Sequence, residues 1–256
     1  MTLRRRIRAR PRSPHHASAP LSARCALGAL AACLLACPAR AGPEPVPQCP
    51  HAGAAGTPVR AVSADEIPVA HTPPGGYKAK FPAPVLASCT EPLAAGAPDL
   101  RGLWKVLRAE QAEESSSRAL SVVRFLVYQA LGIERERKPV PAGDRIYAYV
   151  ERIEQCGNRI VDMGGGTIAD ARADGTEEHA VHDVSAFDFE SPITAIASYE
   201  DGVFVLRPPR IPISITRRLD ADGHMVWHRP DLGDRIITLG RIGGPCDAPP
   251  GTDWVR

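Results

Sequence analysis

His179, His182 and Asp183 form the densest cluster of side chains in the chain that could hold a metal or move a proton. A metal needs its ligands on one side of the element that carries them, and residues three apart face opposite ways in a strand. His224 and His228 have matching parity but stand about 13 Å apart along an extended chain. No CxxC or Cys/His ligand spacing occurs, so no metal site and no cofactor is expected. His182 beside Asp183 has the composition of a general acid/base pair. Ser185 and Ser191 lack the flanking glycines of a nucleophile elbow, and Gly164-Gly165-Gly166 precedes no helix, so neither a hydrolase triad nor a phosphate loop is indicated. No catalytic residue is assigned.

The elements that must position such groups are short strands. From residue 99 the apolar, β-branched runs 102–108, 146–155, 159–163, 167–172, 177–184, 193–199, 203–207, 213–219, 224–229 and 235–241 alternate with turns. Ala173-Asp174-Gly175, Glu200-Asp201-Gly202 and Asp220-Ala221-Asp222-Gly223 are hairpin signals, because glycine supplies the positive φ of a tight turn. About eight to ten antiparallel strands in sequential order predict an all-β, up-and-down barrel, an arrangement without exposed edges. Alternation sets Phe204 with Leu206 on one face of their strand, and Trp227 with Met225 and Arg229 on one face of theirs. Tyr147 and Tyr149 share a face in the second strand.

One segment has a different period. Ala119, Val122, Val123, Leu126, Val127 and Ala130 recur at helical spacing, with Gly132 placed to end the helix. This predicts one amphipathic helix between the first two strands, its apolar side covering the barrel or bordering a cavity.

Export is expected from the N-terminus. Eight arginines and no acidic residue fall in residues 1–41, followed within that span by the thirteen-residue apolar run 25–37. That run is too short to cross a bilayer, and basic, apolar and small-residue regions in this order match a secretory signal cleaved before Gly42. Cys37, and less favourably Cys33, ends a sequence of bacterial lipobox type, so membrane attachment through an acylated cysteine is the competing form of export, to the periplasm or cell envelope. Without this segment the chain holds 23 basic against 29 acidic residues, a balance that speaks against nucleic acid as a partner. Cys49, Cys89, Cys156 and Cys246 remain, an even set suited to disulfides in an oxidising compartment. Four cysteines allow three connectivities, of which Cys49–Cys89 with Cys156–Cys246 is favoured here. Residues 42–98 are rich in Pro, Ala and Gly and lack a sustained period, which reads as a tether or a surface-hugging extension. The expected organisation is a signal peptide over 1–41, this extension over 42–98, a barrel domain over 99–243 and a tail over 244–256, as a monomer.

Asp99-Leu100-Arg101-Gly102-Leu103-Trp104 resembles the Gly-x-Trp opening strand of lipocalins, and Arg241 resembles the basic residue that packs across that tryptophan. The ten-strand count, with helix after the first strand, is similar to fatty-acid-binding proteins. Both belong to the calycin group, and the resemblance extends to uncharacterised exported bacterial barrels. It implies a barrel that holds a small apolar or amphiphilic ligand, with an interior arginine, Arg217 or Arg218, for a carboxylate head group. The ligand-facing residues are then expected to include Tyr149, Phe204, Arg217 and Trp227, around a cavity of about 300 Å³ or more. The residue pattern itself favours a plainer role for that arginine, as a surface partner of Asp220 or Asp222. Two other functions stay open: a structural or interaction lipoprotein with a filled barrel, and an enzyme at the barrel mouth using His182, Asp183 and His228.

Overall fold

In a computed structural model of the 256-residue chain, the structure describes residues 48–49, 60–77, 80–112, 118–181 and 193–251. Cys33, Cys37, the export segment, His182, Asp183, Ser185 and Ser191 lie outside the described residues.

Short β-branched runs separated by glycine turns produce one antiparallel sheet. Its strands are β1 (Gly102–Gln111), β2 (Lys138–Pro139), β3 (Val150–Cys156), β4 (Arg159–Gly164), β5 (Thr167–Arg172), β6 (Asp174–Val181), β7 (Ile193–Glu200), β8 (Val203–Arg207), β9 (Ile215–Leu219), β10 (Met225–Arg229) and β11 (Arg235–Gly243). The hydrogen-bonded order runs β5-β4-β3-β1-β11-β10-β9-β8-β7-β6, with β2 as a two-residue partner of β1. β11 therefore returns to pair with β1, and the two ends of the sheet, β5 and β6, meet at a seam where the Glu178 carboxylate accepts the backbone N–H of Arg172. The result is a nearly closed antiparallel barrel. At the β7–β8 turn Asp201 and Gly202 both take positive φ, 49° and 79°, the twist that matches a hairpin to its strands.

The barrel is closed at one end around Trp104. Its indole Nε1 donates to the Leu100 carbonyl at 2.8 Å, and the Arg241 guanidinium lies 4.8 Å from the ring centroid while donating to the Asp99 carbonyl. Gly102, at φ 152°, lets Arg241 cross so closely that a Cβ there would stand 3.1 Å from its Cγ. Around it Leu100, Ile153, Met225, Ile237 and Leu239 are fully buried with Trp104.

A second core lies on the outer face of β1 and β3–β5. Residues 60–98 form little regular structure beyond a 3-10 turn at Ala64–Glu66, yet Ala64, Tyr77, Phe81, Leu86 and Cys89 pack against Leu103, Val161, Met163 and Ile168. An irregular segment must find partners for its backbone polar groups, and here charged side chains of the barrel supply them. Arg159 ion-pairs with Asp170 and donates to the Ala64, Ile67 and Pro68 carbonyls. Asp170 accepts Ala70 N–H, Glu154 accepts Leu86 N–H, and Arg152 donates to the Pro82 carbonyl. The described part of this region is thus a fitted cover.

The disulfides differ from the favoured connectivity. Cys49 is bonded to Cys246 and Cys89 to Cys156, with Cα separations of 5.6 and 6.2 Å. Cys89 is held over the end of β3 because neighbouring Leu93 bridges to Gly157, and Cys246 follows the β11 tail past the outer face, where Arg152 binds the Asp247 carbonyl.

The helix α1 (Arg118–Ala130) follows β1, but it is turned differently from the stripe expected above. Ser121 and Val122 are buried, whereas Val123 and Val127 are about half exposed, as are Leu120 and Leu131. Apolar residues occur on more than one side, so periodicity alone cannot choose the buried face. Tertiary contacts choose it: Phe125 meets His228 edge-on, with centroids 6.1 Å apart, and Tyr128 lies under the Arg135 guanidinium at 4.8 Å.

Candidate functional site

Period-2 alternation brings Glu151 and Ile153 of β3, Asp162 of β4, Phe204 of β8, Arg217 of β9 and Trp227 of β10 to the inner face. Arg217 pairs with Trp227 across one ladder and with Phe204 across the other. It is buried at 6% exposure, which overturns the surface pairing with Asp220 or Asp222. Its Nη2 donates to Glu151 Oε2 at 2.8 Å and to Asp162 Oδ2 at 2.6 Å. The guanidinium also stacks on Trp227, 4.6 Å from its centroid, and Arg229 lies 4.9 Å from that ring with its own charge matched by Asp231.

Tyr149 completes the cluster. It precedes β3, beyond the 3-10 turn Arg145–Ala148 that replaces the start of the expected strand, and its ring lies 5.5 Å from Trp227. Its hydroxyl donates to Glu151 Oε2, and the ring occupies the space a Cβ at Gly164 would need. Phe204 packs on Tyr199, 5.9 Å away, and Tyr199 accepts a hydrogen bond from Gln155. Of the four expected ligand-facing residues, the structure brings Tyr149, Arg217 and Trp227 into one cluster and sets Phe204 beside it. Alternation does not single out Glu151 and Asp162, because charged residues fall on both faces of the runs 150–156 and 159–164.

Burial pushes the Glu151 carboxyl up to about 8, against the opposing pull of Arg217 and with reinforcement from Asp162. Burial raises the Tyr149 hydroxyl too. For Arg217 burial lowers the pKa, and Asp162 and Glu151 together more than reverse it. Glu151 is therefore mostly protonated at neutral pH, beside the Arg217 cation. A buried acid with a raised pKa binds its proton more tightly folded than unfolded, so its contribution falls as pH rises from 4.5 to about 8. Denaturation of wild type and Glu151→Gln across that window is expected to give a difference that tilts with pH, wild type losing stability relative to the variant. Parallel curves would contradict the assignment. Glu154, raised by burial in the same direction, is common to both proteins and cancels.

Four buried polar atoms of the cluster make no hydrogen bond among the described residues: Glu151 Oε1, Asp162 Oδ1, Arg217 Nε and Trp227 Nε1. A proton on Glu151, hydrogen-bonded to Asp162, satisfies the two oxygens together. The two N–H donors are left. The rest of the inner core is apolar and in part small: Ala171, Ala180, Ala195 and Ala197 are buried in it, and Leu206 and Ile215, two residues along β8 and β9 from Phe204 and Arg217, are partly buried.

The other expected groups lie elsewhere. His228 Nε2 is 2.7 Å from Asp234 Oδ1, and Asp234 also takes Arg135 and Arg137. Burial would raise Asp234, but His228 and Arg137 outweigh it and hold the carboxyl at about 2. His228 thus belongs to an ion cluster beside α1. His224 sits on a hairpin turn near Asp220. A recess of about 450 Å³, lined by Ile196, Arg207, Ile211, Ile213 and Ser214 among others, opens on the outer face, since Ile196 and Arg207 alternate with the inward Ala197 and Leu206.

No protein-family model matches the chain, and no curated protein matches it. Among solved structures it is similar to zebrafish ileal bile acid-binding protein complexed with cholic acid, at 14% identity over 56% of this chain and 98% of that one, with a TM-score of 0.33.

Proposed function

We propose that this protein is an exported, non-catalytic barrel that binds a small amphiphilic molecule in the part of its interior above the Trp104 floor. One observation carries the reading: two buried donors, Arg217 Nε and Trp227 Nε1, have no acceptor among the described residues and stand on the inner face of a barrel whose core cluster is mostly apolar. Leaving a buried donor unpaired costs about 1–3 kcal/mol, and an apolar enclosure with a few converging polar groups is the usual form of a small-molecule site. Export is supported by the basic and apolar layout of residues 1–41 and by two disulfides that need an oxidising compartment. Attachment through Cys37 or Cys33 belongs to the same proposal.

Titration with N-phenyl-1-naphthylamine, an uncharged probe that fluoresces in apolar surroundings, tests the binding. The expected result is saturable enhancement near one probe per chain, weakened at least tenfold by Ala195→Trp, which fills the small-residue wall. Absence of saturable enhancement in a folded wild-type protein would contradict the reading and favour the barrel as a scaffold.

A further inference from the structure

Given that reading, we infer that the site selects an uncharged head group carrying an acceptor oxygen, such as an alcohol or amide, and discriminates against carboxylates. The argument is one of charge already matched. Among the described residues Arg217 is the one cation paired with both Glu151 and Asp162, and its Nη2 is taken by them. One guanidinium thus faces two carboxyls and has no positive charge to spare for a third. An incoming carboxylate would bring an unmatched negative charge to within a few ångströms of Asp162, in a setting where such a charge is costly. Arg229, the next guanidinium on Trp227, is likewise neutralised, by a two-pronged pair with Asp231 at 2.8 and 2.7 Å. The groups left to meet a head group are therefore two N–H donors, Arg217 Nε, on a guanidinium already countered by its carboxyls, and the neutral Trp227 Nε1. A neutral oxygen accepts from them and disturbs none of the existing pairs. An ammonium head would present only further donors to these donors.

Asp162 is thus a specificity-determining residue that masks Arg217. Dodecan-1-ol, dodecanamide, dodecanoic acid and dodecylamine share one chain and differ only at the head, and displacement of N-phenyl-1-naphthylamine at pH 7 ranks them. Wild type is expected to bind the alcohol and the amide at least tenfold more tightly than dodecanoate or the amine. Asp162→Asn removes the masking charge and is expected to reverse the order, with dodecanoate gaining at least tenfold relative to dodecanol. Dodecanoate or dodecylamine binding wild type as tightly as the alcohol would overturn this inference while leaving the binding reading intact. Failure of all four to displace a bound probe would overturn the inference as well. A probe that itself does not bind would instead defeat the binding reading on which it rests. Should Asp162→Asn not fold, the wild-type ranking decides alone.

Discussion

Replacing Arg159 with alanine is expected to destabilise the protein by about 3–5 kcal/mol, the cost typical of removing one partner of a buried ion pair. Arg159 is 2% exposed. It forms a two-pronged pair with Asp170 at 2.8 and 2.7 Å and binds three backbone carbonyls of the cover at 2.6 to 2.9 Å. Alanine leaves Asp170 as a buried charge and three carbonyls short of a donor. The effect should therefore appear twice: as a lowered denaturation midpoint, and as new protease cleavage in residues 60–77. Arg159→Lys is expected to recover little, since one ammonium cannot reach a carboxylate and three carbonyls in that planar arrangement. A variant within about 1 kcal/mol of wild type, well below the range for buried pairs, with the cover still resistant, would show that Arg159 does not hold it.

Loss of the Cys89–Cys156 bond is the second large effect. It closes 67 residues of sequence, and cross-linking a loop of that length stabilises by roughly 4 kcal/mol in the chain-entropy account. Cys89→Ser with Cys156→Ser is expected to lose a substantial part of this and to loosen the cover where Leu93 meets Gly157. Peptide mapping without reduction should find Cys49 joined to Cys246 and Cys89 to Cys156. Recovery of Cys49 joined to Cys89 would contradict the arrangement described. Both effects act on the outer face of β3–β5, the wall whose inner side carries Glu151 and Asp162, so holding the cover and shaping the interior are coupled through the same strands.

The barrel was legible because its signals are local. Strands β5 and β8 have the bounds that their β-branched runs imply, and Asp201-Gly202 and Asp222-Gly223 join paired strands as hairpin turns should; Asp174-Gly175 does not, because both residues fall within β6 and β5 and β6 are the two ends of the sheet. What was illegible is relational. Arg217 finds its partners 66 and 55 positions earlier in the chain, and nothing near Arg217 distinguishes it from the exposed Arg218. Arg152, Glu154, Arg159 and Asp170 alternate with apolar residues as a solvent-facing side would, yet they are buried because residues 60–98 lie over them. The cover itself has no period to read, because its backbone bonds go to side chains of the barrel and not to a ladder of its own. Cysteine pairing depends on where that cover runs, and so could not be deduced from spacing. The helix was recognisable by its period, but with apolar residues on several sides its orientation was left to Phe125 and Tyr128 and the residues they meet.

The central claim is that the two free donors above the Trp104 floor meet the acceptor of a bound amphiphile. Native mass spectrometry of the purified protein, followed by organic extraction and identification of what is released, decides it. One small molecule per chain is expected, with an apolar body and an uncharged oxygen-bearing head, absent from Arg217→Met. A protein that leaves its producing cells empty and stays empty when offered dodecan-1-ol would contradict it.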